Sequence, residues 1–131
     1  MWFKKKQPTI CTLIGEGTTL KGDLTFTHGV RIDGEILGDV TAVGEGPSVL
    51  VISETARVQG VVTADHVIVN GMVLGPVRCG VLLELQPKAR ITGDVRYEKL
   101  EMHVGATVDG ALQYLKSEEK PALKLAASNE G

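Results

Sequence analysis

Between Ile10 and Leu115 the apolar residues come in short bursts, and within most bursts apolar and polar positions alternate. One series has the form apolar-x-apolar: Val30–Ile32, Leu50–Ile52, Val67–Val69, Leu83–Leu85 and Leu100–Met102. A second series is a pentad, apolar-x-Gly-x-apolar. It reads LKGDL around Gly22, ILGDV around Gly38, VQGVV around Gly60, VLGPV around Gly75, ITGDV around Gly93 and VDGAL around Gly110. Period-two runs of this length predict short strands with one buried face. Asp33-Gly34, Gly46-Pro47, Asn70-Gly71, Pro87 and Gly105 punctuate them as turn residues. No stretch in this span holds a 3.6-residue period long enough to predict a helix.

The pentad glycines are spaced by 16, 22, 15, 18 and 17 residues. The residues ahead of them repeat as well, as GTTLKG, TARVQG, KARITG and GATVDG. A longer phrase occurs twice, as VRIDGEILGDV over 30–40 and VIVNGMVLGPV over 67–77. Short strands, bends at glycine and a period near one rung's length predict a parallel β-helix. A single rung cannot bury its inward side chains, but stacked rungs share one aliphatic column. The predicted fold is all-β: a right-handed parallel β-helix of about six rungs over 10–115, with disordered tails at 1–9 and 116–131. At about 4.8 Å per rung the rod is roughly 29 Å long. Left-handed helices of the hexapeptide type would space their glycines in multiples of six, and these spacings do not. The rung of 22 residues is expected to carry its excess in the loop AVGEGPS, 42–48.

Composition agrees with a narrow aliphatic interior. Glycine is abundant at 16 residues, while aromatics make up only 4%. The formal net charge is −2 and is unevenly spread. Lys4, Lys5 and Lys6 sit together, and the remaining 11 of 14 basic residues face 16 acidic ones. A nucleic-acid binder needs basic residues spread over a folded face, so no direct nucleic-acid partner is expected. Cys11 and Cys79 lie far apart and outside any metal-ligand spacing, which predicts reduced thiols. MWFKKKQPT lacks the apolar core of a secretory signal. No run approaches the ~20 apolar residues of a membrane span.

Candidate chemistry is thin. His28 and His66 each follow a pentad glycine by six residues, and His103 follows Gly93 by ten. Equivalent positions two rungs apart would separate the first pair by about 10 Å, too far to share one metal ion. All three are expected to be surface residues. Asp23 and Asp39 follow their glycines and would stack on adjacent rungs, where paired carboxylates could serve a glycosidase or hold calcium. The alternation points both outward, so a solvated acidic stripe is expected. No nucleophile elbow or phosphate-cradling loop is present. No catalytic, metal-binding or cofactor-binding residue is assigned, and no cofactor is expected.

The two ends carry more. Met1, Trp2 and Phe3 form an apolar wedge followed by Lys4, Lys5 and Lys6. Tryptophan favours the headgroup level of a bilayer, and lysines are drawn to anionic lipid. The segment from Ser117 is polar and lacks the pentad. Neither flank of the repeats resembles a capping helix, so rungs bearing Ile10, Leu13, Leu112 and Leu115 are expected to stack on another copy.

IGEGTTLKGDL, RIDGEILGDV, VIVNGMVLG and GATVDGAL, in this order between a lysine-rich start and a polar tail, make the chain resemble the bactofilin family. The resemblance implies a bacterial cytoskeletal protein. Such proteins polymerise without nucleotide into non-polar filaments, joined head-to-head and tail-to-tail. They attach to the inner face of the cytoplasmic membrane and localise cell-wall or other morphogenesis proteins. It maps the membrane anchor onto Met1 to Lys6 and the polymer contacts onto Leu13, Ile14, Leu112, Tyr114 and Leu115, with Ile10 beside them. Many relatives use a last-rung phenylalanine; here Phe occurs only at 3 and 26, so Tyr114 or Leu115 must stand in. The rival expectations are a β-helical enzyme, whether a hexapeptide-type transferase or a carbonic anhydrase-like metalloprotein, and a monomeric adaptor.

Overall fold

The computed structural model describes residues 9–115, which form sixteen strands and no helix. The chain coils through three faces per rung. Rung 1 comprises β1 (Thr12–Ile14), β2 (Thr19–Lys21) and β3 (Leu24–Phe26). Rung 2 comprises β4 (Gly29–Ile32), β5 (Glu35–Leu37) and β6 (Val40–Ala42). Rung 3 begins with β7 (Val49–Ile52) and β8 (Arg57–Gln59) and closes on the first half of β9 (Val62–Val69). The second half of β9 opens rung 4, which continues through β10 (Met72–Leu74) into the first half of β11 (Val77–Leu85). Rung 5 takes the rest of β11, then β12 (Arg90–Thr92) and β13 (Val95–Tyr97). Rung 6 is β14 (Lys99–Met102), β15 (Thr107–Asp109) and β16 (Leu112–Tyr114).

Every pairing in the ladders is parallel, and each strand pairs with its counterpart one rung away. The second face is a sheet of six strands. The first and third faces merge into one sheet of ten, because β9 and β11 cross the corner between them unbroken. Register stacks the inward positions into columns. On the second face Leu20, Ile36, Val58, Val73, Ile91 and Val108 follow one another. On the first face the corresponding column is Ile14, Ile32, Ile52, Val69, Leu85 and Met102. The middle members of both columns are buried, while the end members are only half-covered or exposed. Burying such a side chain contributes about 1.5–3 kcal/mol, but a rung collects that in full only with a neighbour on each side.

The corners explain the two kinds of repeat. Between the second and third faces the pentad glycines form a column of their own. A Cβ placed on Gly38, Gly60, Gly75, Gly93 or Gly110 would strike the carbonyl of the glycine one rung below. Between the first and second faces the corners come in two lengths. Rungs 1, 3, 5 and 6 use a four-residue turn, closed by bonds such as Thr18 N–H to Gly15 O (3.1 Å) and Ala56 N–H to Ser53 O (2.9 Å). Rungs 2 and 4 use the tight pairs Asp33-Gly34 and Asn70-Gly71. The short corner sits against the longer turn beneath it: a Cβ on Gly71 would lie 2.8 Å from Ala56 O, with Ser53 O closer still. The long phrase therefore recurs two rungs apart because it encodes the short corner.

Two expectations need correction. Asp23 and Asp39 do face outward, but they are not merely solvated. Asp23 Oδ1 accepts the Asp39 N–H at 2.9 Å, and Asp39 Oδ1 accepts the Val61 N–H at 2.9 Å. Higher up, Asp94 Oδ1 accepts the Ala111 N–H at 3.0 Å. Each aspartate thus satisfies a backbone donor at the glycine corner of the next rung. The second correction concerns His28 and His66. Gly29 aligns with Val49, and Val49 with His66, so His28 lies one position out of register. Rung 1 spends an extra residue at this corner, where His28 adopts φ 70°; β9 runs straight through it.

Candidate assembly surfaces

A rung in the middle of the rod is covered above and below; the first and last are each covered on one side. β1, β2 and β3 pair only with rung 2, and β14, β15 and β16 only with rung 5. These six strands are three or four residues long. Their outer N–H and C=O groups point along the rod axis, the geometry by which a parallel ladder extends to another chain. Among the described residues, nothing caps either end.

The inward side chains at these ends are apolar and incompletely covered. In rung 6, Leu112 is 45% exposed, Tyr114 58% and Met102 45%. Tyr114 stacks over Tyr97 in register, with ring centroids 6.3 Å apart and planes at 46°. In rung 1, Ile14, Leu20 and Leu24 are half-covered and pack on the core. The sequence-predicted residues divide accordingly. Ile14, Leu112 and Tyr114 stand in the end columns. Leu13 pairs with Arg31, an outward position, and points sideways at 60% exposure. Ile10, also exposed, precedes β1. Leu115 donates its N–H to Tyr97 O and lies at the corner between third and first faces rather than on the end face. Met1, Trp2, Phe3, Lys4, Lys5 and Lys6 lie outside the described residues.

Sequence reading missed Leu20, Leu24, Leu100, Met102 and Val108 as end residues. The signal was available: Leu20 and Val108 open the first and last pentads, so register alone makes them terminal members of a buried column. Val104, 96% exposed, rides on the last long corner.

The remaining candidate chemistry does not converge. Among the described residues no three His, Cys, Asp or Glu side chains gather as a metal site would require. His103 Nε2 lies 3.4 Å from Glu84 Oε2 on the rod's side. Asp33 has its carboxyl held below the usual range by a hydrogen bond from Ser53 and by Arg31, whose Nε sits 2.9 Å away. Burial pushes the Cys79 thiol up to about 11, whereas Cys11 is exposed near the first rung. No helix among the described residues is long and apolar enough to cross a membrane.

Comparison with known proteins matches the same span. The family model for bactofilins, described as polymer-forming cytoskeletal, covers residues 12–113. Bactofilin BacP of Myxococcus xanthus (strain DK1622) is 25% identical over 99 residues, covering 76% of this chain. The chain spans 40% of that relative's length. No solved structure gives a significant match. The matched span runs from the first strand of the helix to its last, and the chain belongs to the bactofilin family.

Proposed function

We propose that this chain is a structural subunit that assembles, without nucleotide, by stacking its end rungs on those of other copies. The observation that carries the reading is the pair of open ends: apolar inward columns and free strand edges at both. Stacking completes each column and continues each ladder, adding the burial that terminal rungs lack. Copies meeting like end to like end form two different two-fold joints, and the filament has no polarity. The amino-terminal segment Met1–Lys6 attaches the polymer to anionic lipid at the inner face of the cytoplasmic membrane. There it serves as a scaffold for cell-wall or other morphogenesis proteins. The family's description as polymer-forming cytoskeletal favours this over an enzymatic role.

Single-end variants test the joint geometry. Thr12→Arg puts a charge in the first rung's inward column, and Leu112→Arg does so in the last. Both sites are solvent-exposed, so circular dichroism and melting should report folded protein. Wild type is expected to form filaments by negative-stain microscopy. Each single variant should stop at dimers through its intact end, and the double variant should be monomeric by sedimentation. Either single variant falling to monomers would show a head-to-tail joint; unaltered filaments in the double variant would remove the end-stacking reading altogether.

A further inference from the structure

The first face differs from the other two in what it turns outward. Its central outward column reads Leu13, Arg31, Val51, Ile68, Glu84 and Glu101, one residue per rung. The corresponding column of the third face holds only threonine, arginine and glutamine. β7 reads VLVI, and β9 ends in VIV. A strand apolar toward both sides is the pattern of one covered on both. Here the inward side chains meet the core, but among the described residues no element lies over the half-buried Val51 and Ile68. The charges in the column are uneven as well. Glu84 and Glu101 stand side by side on β11 and β14, and like charges so placed repel. Glu84 has Gln86 and, at 3.4 Å, His103 Nε2 beside it. The Glu101 side chain has no hydrogen-bond or ion-pair partner among the described residues. Toward the other end Arg31 bonds Asp33, yet its side chain is 50% exposed.

We propose that this face docks on the same face of a second copy, with the two rods side by side and antiparallel. Packed sheets lie about 10 Å apart, and a two-fold axis can relate two identical faces in two ways. With the axis along the rods, each residue of the central column meets itself: Arg31 on Arg31, Glu84 on Glu84, Glu101 on Glu101. With the axis across the rods, the column meets its own reverse. Val51 then faces Ile68 on both sides of the axis, and Arg31 faces Glu84 with Glu101 one rung away. Apolar meets apolar at the centre, and each arginine reaches the crowded carboxylates. Leu13 and Glu101 fall at the rim, where contacts stay solvated. The second face offers no such fit, because the same reversal sets its outward Leu37 against Thr92 and Leu74 against Gln59. The first face measures about 13 Å by 29 Å, or about 380 Å², half of the roughly 800 Å² per partner in a stable interface. Two isolated rods therefore separate on dilution. The joint uses neither open end, so it is tested separately from end stacking.

Crosslinking of the full chain tests face and direction together. The carrier is Thr12→Arg with Leu112→Arg, which blocks the ends, plus Cys11→Ser; Cys79 is buried and stays. At high protein concentration, Leu13→Cys with Glu101→Cys should be joined into a dimer by a short bismaleimide. Leu13→Cys alone should give about ten-fold less dimer, because in antiparallel rods the two 13 positions lie five rung steps, about 24 Å, apart. Arg31→Glu or Glu84→Arg, added singly to the two-cysteine chain, should slow dimer formation by about five-fold, the scale of the surface ion pairs lost. Added together they should restore it, since the reversed charges meet again across the antiparallel joint. All these side chains point outward, so circular dichroism should match the carrier throughout. The proposal is overturned if the two-cysteine chain links no faster than Leu13→Cys alone, if the single reversals leave its rate unchanged, or if the double reversal fails to restore it.

Discussion

A methyl group added at Gly93 would stand 2.6 Å from the Gly75 carbonyl oxygen, well inside the roughly 3.5–4.0 Å separation of comfortable contacts. Gly93 also holds φ at +144°, a region that suits glycine. Gly22, the first pentad glycine, has φ +133° but nothing within 4 Å of its would-be Cβ, because no rung lies beneath it. The two positions separate backbone strain from stacking. Gly22→Ala should lose about 1 kcal/mol, and Gly93→Ala about 3 kcal/mol, in denaturant unfolding. Equal losses would mean that the tight stacking of corners contributes nothing. At this scale the glycine repeat was fully legible, but its companion aspartates were not. In one sequence Asp23 and Asp39 look like any outward carboxylate. Their role depends on which N–H lies above them, a fact of register. Of the two inner pentads that lack an aspartate, VQGVV and VLGPV, the first makes the point: Val61 follows Gly60, and the residue above it is Pro76, which has no N–H to satisfy.

At the scale of elements, the irregular rung shows how the helix tolerates insertion. The loop of residues 43–48 was legible as excess length, since turn-forming glycines and Pro47 interrupt the alternation. What fixes it was not. Ser48 is buried; its N–H donates to Asp65 Oδ2 at 3.2 Å, and its Oγ accepts the Asp65 N–H at 3.0 Å. This reciprocal pair joins the loop's end to β9 across one rung. Ser48→Ala leaves the Asp65 N–H without its partner and should cost about 1–2 kcal/mol. Hydrogen exchange should quicken at residues 43–48 and 65, while the amides of β8 and β10 keep their protection. Uniformly faster exchange across the rod would place the loss in the core instead. The unbroken passage of β9 and β11 through a corner also escaped the sequence reading. VTADHVIV and VRCGVLLEL contain no turn pair, yet the apolar triplets within them read as separate strands. Leu13 shows the limit of pattern reading at an end. Its neighbours Thr12 and Ile14 occupy inward positions, and only pairing to rung 2 reveals that the leucine faces out.

Across the whole molecule, charge is distributed along the axis. Residues 9–65 hold eight acidic side chains against three basic ones, Lys21, Arg31 and Arg57, while residues 66–115 hold five of each. An anionic bilayer would therefore repel the amino-terminal half of the rod, and in the proposed attachment Lys4, Lys5 and Lys6 have to overcome that repulsion. Each lysine contributes about 1 kcal/mol near such a surface, so one proposed anchor alone holds weakly. A filament presents many anchors, and after the first attachment the others bind at high effective concentration. Membrane association and assembly are thus expected to be coupled, although no residue takes part in both. In co-sedimentation with anionic liposomes, wild type should pellet and a chain lacking residues 1–6 should not. The informative protein is the double end variant, Thr12→Arg with Leu112→Arg, which keeps every anchor residue but is expected to stay monomeric. Its affinity should fall by about 100-fold or more from loss of avidity alone, and added salt should release it first. If it binds as tightly as wild type, a single amino-terminal segment suffices and avidity has no part; if the truncated chain still pellets, the anchor lies elsewhere on the rod.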